Sequence, residues 1–335
     1  MSAIGPDGER VVERVSIARA LNLGLRAAME RQPKVLVMGE DIGALGGVFR
    51  VTEGLAKDFG EERVIDTPLA EAGIIGTAIG LAMRGYRPVC EIQFDGFVFP
   101  AYDQIVTQLA KMTHRSRGAL PMPVVIRIPF GGGIGAVEHH SESPEVLFAH
   151  TTGLRCVSPS NAVDAYWMIQ QAIDSPDPVI FFEPKRHYWD KAELDPGAQP
   201  YPLHRSRVVR PGTDVTVVAY GPTVPLALRA AEVAQEEGRS LEVVDLRTIS
   251  PLDLAPVEES VRRTGRLVVA HEAPVFLGLG AEVAARVTES CFYSLEAPVL
   301  RVGGFSVPYP AARLEDEYLP DTDRLLEAVD RVLAP

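Results

Sequence analysis

The chain has 335 residues, 46% of them hydrophobic and 23% charged, a length and balance that give about two domains with proper cores and exclude a mainly disordered polymer. Its 33 Lys and Arg against 45 Asp and Glu leave a net charge of −12 and a pI near 5.1, which repels phosphate backbones and anionic lipid and argues against nucleic-acid and membrane roles. Three cysteines, Cys90, Cys156 and Cys291, are odd in number and widely spaced with no CxxC pair to suggest a metal or redox site, and a reducing cytosol fits them best.

The opening MSAIGPDGERVVERVS lacks the apolar core of a secretory signal and the Arg- and Ser-rich, acid-poor character of a transit peptide, and reads as a flexible arm over residues 1–14. The longest apolar run, Ala72 to Met83, falls short of the roughly 20 residues a membrane-spanning helix needs. Beyond the arm, the short β-rich runs VLVMG, RVIDT, PVCEI, PVVIRIP, RCVSP and PVIFFEP alternate with helical patterns such as FPAYDQIVTQLAKMTHRSRG and NAVDAYWMIQQAID. That alternation predicts a parallel sheet covered by helices on both faces, in a first domain over 15–190. Pro, Gly and charge then gather between about residues 185 and 212, which places an interdomain linker at 191–207. In the second domain, 208–335, DVTVVAYG, SLEVVDLR, RLVVAHEA and VLRVGG read as strands, and TVPLALRAAEVAQEEG, GAEVAARVTESCFYSL and DTDRLLEAVDRVLA as helices. The fold class expected is α/β, with two open, mostly parallel sheets.

Three stretches carry chemistry. In DTPLAEAGIIGTAIG, Glu71 is the one carboxylate of a first helical turn otherwise made of Leu69, Ala70, Ile74, Ile75 and glycines. A solvated first-turn acid complementing the helix dipole is the plain alternative. Against it, so little polar surface disfavours the charged form and moves a carboxyl toward the range useful for proton transfer. In FGGGIGAVEHHSESPEVLFAH, Gly133 and Gly135 form G-x-G, but the third glycine of a dinucleotide fingerprint is missing and no helix opens directly after the loop. Ser143 and Pro144 mark the N-cap and first position of the next helix, so His139 and His140 stand just before a helix mouth in an extended loop, pointing in different directions. One of them there suits a proton shuttle. A metal site competes, but no second His or carboxylate lies at helical spacing; a purely structural pair, hydrogen-bonded in the loop, is the other alternative. In EIQFDGFVFPAYDQIV, Gln93 and Phe97 directly follow a strand, where open α/β sheets bind ligands, although such aromatics are commonly core.

Taken together, GEDIG…GGVFRVTEGL, RVIDTPLAEAGIIGTAIGLAMRGYRPVCEIQFDGFVFPAYDQI, HHSESPEVLFAH, IFFEPK, DLRTISPLD and VVAHEA resemble the β subunit of the E1 component of 2-oxoacid dehydrogenase complexes, in the same order from about residue 15 to the end. EIQF followed by PAYDQI, with HHSESPE and FFEPK, is similar to the branched-chain members. The resemblance implies a transketolase-like pyrimidine-binding domain followed by a transketolase C-terminal domain, and thiamine diphosphate as cofactor. By that resemblance, Glu71 hydrogen-bonds N1′ of the aminopyrimidine and promotes the tautomer that removes the thiazolium C2 proton. Leu69 and Phe97 would pack on the pyrimidine, and Gln93 would lie near the cofactor. His140 would be the catalytic histidine facing substrate and lipoyl group, with a weaker case for His139, and Glu40 a deeper acid that passes protons. The family also holds a potassium ion near the segment matching AIDSPDP, to which Asp177 could contribute, although Ser175 stands where Asp is common.

No Gly-Asp-Gly occurs in the chain, and that motif is the usual start of a diphosphate and Mg²⁺ site. The resemblance assigns that half-site to an E1 α subunit in an α2β2 heterotetramer, with the C-terminal domain of β docking the E2 lipoyl acyltransferase. The expected function is oxidative decarboxylation of branched-chain 2-oxoacids with acyl transfer to lipoyl-E2, inactive in this chain alone. Alternatives are the same chemistry on pyruvate or acetoin products, an assembly subunit in which Glu71 is structural, and a nicotinamide dehydrogenase using the GGGIG loop.

Overall fold

The structure, a computed structural model, describes residues 12–334. Of the expected arm, residues 1–11 lie outside the described residues, and the next few already enter a strand. The first part of the chain forms strands β1 (Glu13–Ser16), β2 (Val35–Gly39), β3 (Val64–Asp66), β4 (Arg87–Glu91), β5 (Val125–Phe130), β6 (Arg155–Val157), β7 (Val179–Pro184) and β8 (Lys191–Leu194). Between them run helices α1 (Ile17–Arg31), α2 (Leu55–Phe59), α3 (Glu71–Met83), α4 (Ala110–Arg115), α5 (Glu145–Ala149) and α6 (Ala162–Asp174). The remainder holds β9 (Arg207–Arg210), β10 (Val215–Ala219), β11 (Leu241–Asp245), β12 (Thr248–Ser250), β13 (Leu267–Pro274) and β14 (Leu300–Gly304), with helices α7 (Thr223–Glu236), α8 (Ala255–Thr264), α9 (Leu279–Cys291), α10 (Glu315–Tyr318) and α11 (Thr322–Leu333).

The larger sheet has the strand order β12-β6-β7-β5-β4-β2-β3, and the smaller β14-β13-β10-β11-β9. Every pair is parallel except the edges β12 with β6 and β9 with β11. The central strands β2, β5, β7 and β10 are buried along their whole length, as strands covered on both faces must be. Helix α3 turns Ile74, Ile75, Ala78, Ile79 and Ala82 inward and leaves Gly73 and Gly80 on its outer face; each fully buried Ile contributes about 1.5–3 kcal/mol.

Two elements cross the boundary expected at 191–207. Strand β8, inside the expected linker, pairs antiparallel with β1, Glu13 opposite Leu194. Strand β12, from the second domain, adds itself to the first sheet with Thr248 opposite Val157. A continuous apolar core follows it, joining Ile126, Phe130 and Phe148 to Tyr220, Leu254, Val261 and Leu279. The segment read as one helix from Phe99 is instead a 3₁₀ stretch (Asp95–Ala101), a π turn (Gln104–Leu109) and α4. Pro100 lies inside the 3₁₀ stretch, where its missing N–H and fixed φ break the regular ladder.

Candidate functional site

The chain leaves β2 for β3 on one side and then returns for β4 on the other. The crevice at the carboxyl ends of β2 and β4 is therefore the topological switch point at which open α/β sheets bind ligands. Glu40 follows β2 and Gln93 follows β4. The Gln93 amide donates to the Glu40 carbonyl and to Asp41 Oδ2, each at 3.3 Å. Asp41 is left-handed, with φ 56°, and its carbonyl accepts from Gly47 N at 2.9 Å. The third contributor comes from the adjoining strand: Glu71 is the first residue of α3, and only 7% exposed.

Burial raises the Glu40 carboxyl above its ordinary value, and the neighbouring charges of Glu71 and Asp41 raise it further. Its Oε1 and the hydroxyl of Thr67 are buried without a hydrogen-bond partner. Two orphaned polar atoms beside a buried acid suit a ligand that brings its own donors and acceptors. Asp66 ends β3 and accepts from Gly43 N at 2.6 Å and Ala44 N at 3.4 Å, tying down the loop after β2.

His140 closes a 3₁₀ turn, Glu138–His140, rather than lying in an extended loop. The turn brings the His139 and His140 rings edge to face at 4.3 Å instead of pointing them apart. His140 stacks on Phe94, centroids 4.0 Å apart and planes 10° from parallel, and meets Phe97 edge-on at 5.0 Å. His139 is exposed, 3.6 Å from the Glu138 carboxylate. Ser143 does not cap the next helix: α5 begins at Glu145 behind Pro144, and the Ser143 hydroxyl donates to Glu272 at 3.4 Å. A carboxylate from the second domain outcompetes the local backbone for that hydroxyl.

The GGGIG loop binds acids of its own chain. Gly132 N donates to Glu272 Oε1 at 2.5 Å, and Gly133 N and Gly135 N donate to the two oxygens of Glu315 at 2.9 Å each. The amides a dinucleotide pyrophosphate would need are thus taken. Leu69, expected in a dry pocket with Glu71, is 80% exposed, so this chain alone leaves the pocket open. At the other end of the sheet the Asp177 carboxylate is held by Arg155 at 2.5 and 2.8 Å. Arg87 donates to the carbonyls of Ile173 and Ser175 at 2.6 and 3.1 Å. Those of Pro176, Asp177 and Pro178 accept from Met122 N, Ser175 Oγ and Arg155 N. Arg155 already neutralises the one carboxylate here, and the carbonyls of Ile173, Ser175, Pro176, Asp177 and Pro178 each already accept from a protein donor, so the arrangement does not fit a potassium ion. Among the described residues no group of three or more His, Cys, Asp or Glu is placed to hold a metal.

Residues not singled out beforehand also converge here. Lys185, 2% exposed, and Asp95, fully buried, form an ion pair under the His140 turn. The signal was available in FFEPK and QFDGF, since a charge inside an apolar run is buried only when paired.

A parallel sheet with acids and a histidine at its carboxyl edge, joined to a second α/β domain, defines a transketolase-like unit. Residues 13–190 match the transketolase pyrimidine-binding domain and 204–325 the transketolase C-terminal domain. The chain is 68% identical to the pyruvate dehydrogenase E1 component subunit beta of Leifsonia xyli subsp. xyli, across 96% of each. It is 54% identical to the 3-methyl-2-oxobutanoate dehydrogenase subunit beta of Mycobacterium tuberculosis, across 96% of this chain and 93% of that one. To the 2-oxoisovalerate dehydrogenase subunit beta of Pseudomonas aeruginosa it is 42% identical, across 99% of each. A split-gene transketolase shares the fold at a TM-score of 0.73 with 23% identity, over 95% of this chain and 98% of that one. The chain belongs to the E1 β subunits of 2-oxoacid dehydrogenases, a family whose kinship with transketolase implies thiamine diphosphate. No helix among the described residues is long and apolar enough to cross a membrane.

Proposed function

We propose that this chain supplies the pyrimidine side of a thiamine-diphosphate site shared with an E1 α subunit in an α2β2 assembly, and that the assembled enzyme decarboxylates branched-chain 2-oxoacids and passes the acyl group to lipoyl-E2. The observation that carries the shared site is the surface around it. Leu45 and Val48 after β2, Leu69 after β3, Phe99 after β4, and Ile134 and Val137 after β5 are all at least 40% exposed. Apolar side chains ringing a crevice that holds two buried acids are what a partner subunit would cover.

When bound, the cofactor would supply the carbanion centre for decarboxylation. Glu71 and Glu40 would hold and move a proton at the pyrimidine, and the upward push on the Glu40 carboxyl is in the direction such a role requires. Gln93 would orient the edge of the site through the Glu40 carbonyl, and Leu69 and Phe97 would give it apolar walls. His140, held by Phe94, would face the substrate and the lipoyl arm. Mg²⁺ and the diphosphate would rest on the α subunit, the chain would work in the cytoplasm, and the second domain would dock E2.

A second reading, pyruvate as substrate, is favoured by the name of the 68% identical relative; the branched-chain reading is favoured by the motifs EIQF and HHSESPE and by two relatives named for branched substrates. Reconstitution with an α subunit and thiamine diphosphate, followed by kcat/KM for 3-methyl-2-oxobutanoate and pyruvate, tests both. A higher value for pyruvate overturns the branched-chain assignment, and steady turnover by the chain free of α overturns the shared site.

A further inference from the structure

His140 is oriented without a hydrogen bond to its ring. Nδ1 is buried and has no partner, whereas functional imidazoles are commonly fixed by such a bond. What holds the residue is its backbone and one ring face. Lys185 Nζ donates to the His140 carbonyl and to Asp95 Oδ1, and the other oxygen of Asp95 accepts from Glu142 N at 2.8 Å. One buried ion pair therefore grips the chain on both sides of Ser141. The same ammonium lies 5.5 Å over the ring of Phe94, and Phe94 carries the stacked imidazole. Gly96 closes the arrangement, because a Cβ there would come within 2.3 Å of the His139 carbonyl. With Nδ1 shut away, Nε2 is the nitrogen left to meet a reactant.

We propose that Lys185 and Asp95 are positioning residues for His140, setting both the turn that carries the imidazole and the ring on which it stacks. The inference rests on the reading of His140 as the histidine that faces substrate. A buried ion pair is not needed for stability as such, since apolar replacements of similar volume are often neutral. A site that demands a fixed imidazole gives a reason to keep one.

The test uses the reconstituted α/β enzyme with thiamine diphosphate and compares wild type, H140A, K185M, D95N, and each of the last two combined with H140A. D95N is nearly isosteric and still accepts from Glu142 N, so it serves where K185M fails to fold. The expected result is a kcat lowered about 10- to 100-fold in K185M or D95N with KM changed less than about threefold, the scale of losing one oriented acid–base group. The pH-rate limb that disappears in H140A should shift in both. Each double variant should be no slower than H140A, the non-additivity of residues acting as one unit. Doubles slower than H140A by the full single-variant factor, or unchanged kcat in D95N and K185M, overturn the proposal while leaving the reading of His140 intact. Wild-type kcat in H140A overturns both.

Discussion

Glu145 offers a direct measurement of how the two domains are joined. It starts α5, is fully buried, and accepts a 2.5 Å hydrogen bond from the hydroxyl of Tyr220 in the second domain, while its other oxygen has no partner. Burial pushes its carboxyl up to about 8, only partly countered by Tyr220. Between the unfolded value of 4.5 and about 8, the folded state keeps a proton that the unfolded chain has lost. The stability this group contributes is therefore greatest below pH 4.5 and falls by about 1.4 kcal/mol per pH unit until the folded group ionises. From pH 6 to 8 the loss is about 2 kcal/mol, on the order of 5 °C in Tm for a chain of this size. Glu145→Gln keeps an oxygen for Tyr220 and cannot ionise, so its Tm should lack this component. Calorimetric scans of both proteins across pH 5.5–8.5 give the difference, in which other titrating groups cancel. Parallel Tm profiles would refute the reasoning.

Three further outcomes are expected. Glu71→Gln should lower turnover of the reconstituted enzyme by about 10² or more while gel filtration shows assembly intact; near-normal turnover would favour an assembly role. Gly132→Ala places a Cβ 1.8 Å from the hydroxyl of Tyr309, which donates to Glu315 at 2.6 Å, and displacing that ring should cost about 1–3 kcal/mol, read as a lowered Tm. Potassium chloride should raise Tm no more than choline chloride at equal ionic strength, because Arg87 and Arg155 hold the oxygens around Asp177; a saturable rise specific to potassium would contradict this.

Much of the candidate site is visible in the sequence one residue at a time. Glu71 stood out because an acid opening a Gly- and Ala-rich helix conflicts with its neighbours, and that conflict is local. Gln93 and Phe97 were placed by the end of a strand. The pairing of Ser143 with Glu272 was not visible, because an N-cap motif states only a local preference and a buried carboxylate 129 residues away wins the hydroxyl. FFEPK and QFDGF each mark a charge set in an apolar run, but only the fold shows that Lys185 and Asp95, 90 residues apart, are each other's partner.

The sequence by itself determined the alternation of strands and helices, the division into two α/β domains and the position of Glu71 at a helix start. These follow from hydrophobic period and chain punctuation, which act over a few residues. Only the tertiary structure decided that β12 joins the first sheet, that the glycine loop closes on Glu272 and Glu315, and that Arg155 holds the Asp177 carboxylate while Arg87 takes the Ile173 and Ser175 carbonyls. Each of those outcomes settles which buried polar atoms find partners, and that depends on which distant segments the folded chain brings within 3 Å or so, the reach of a hydrogen bond.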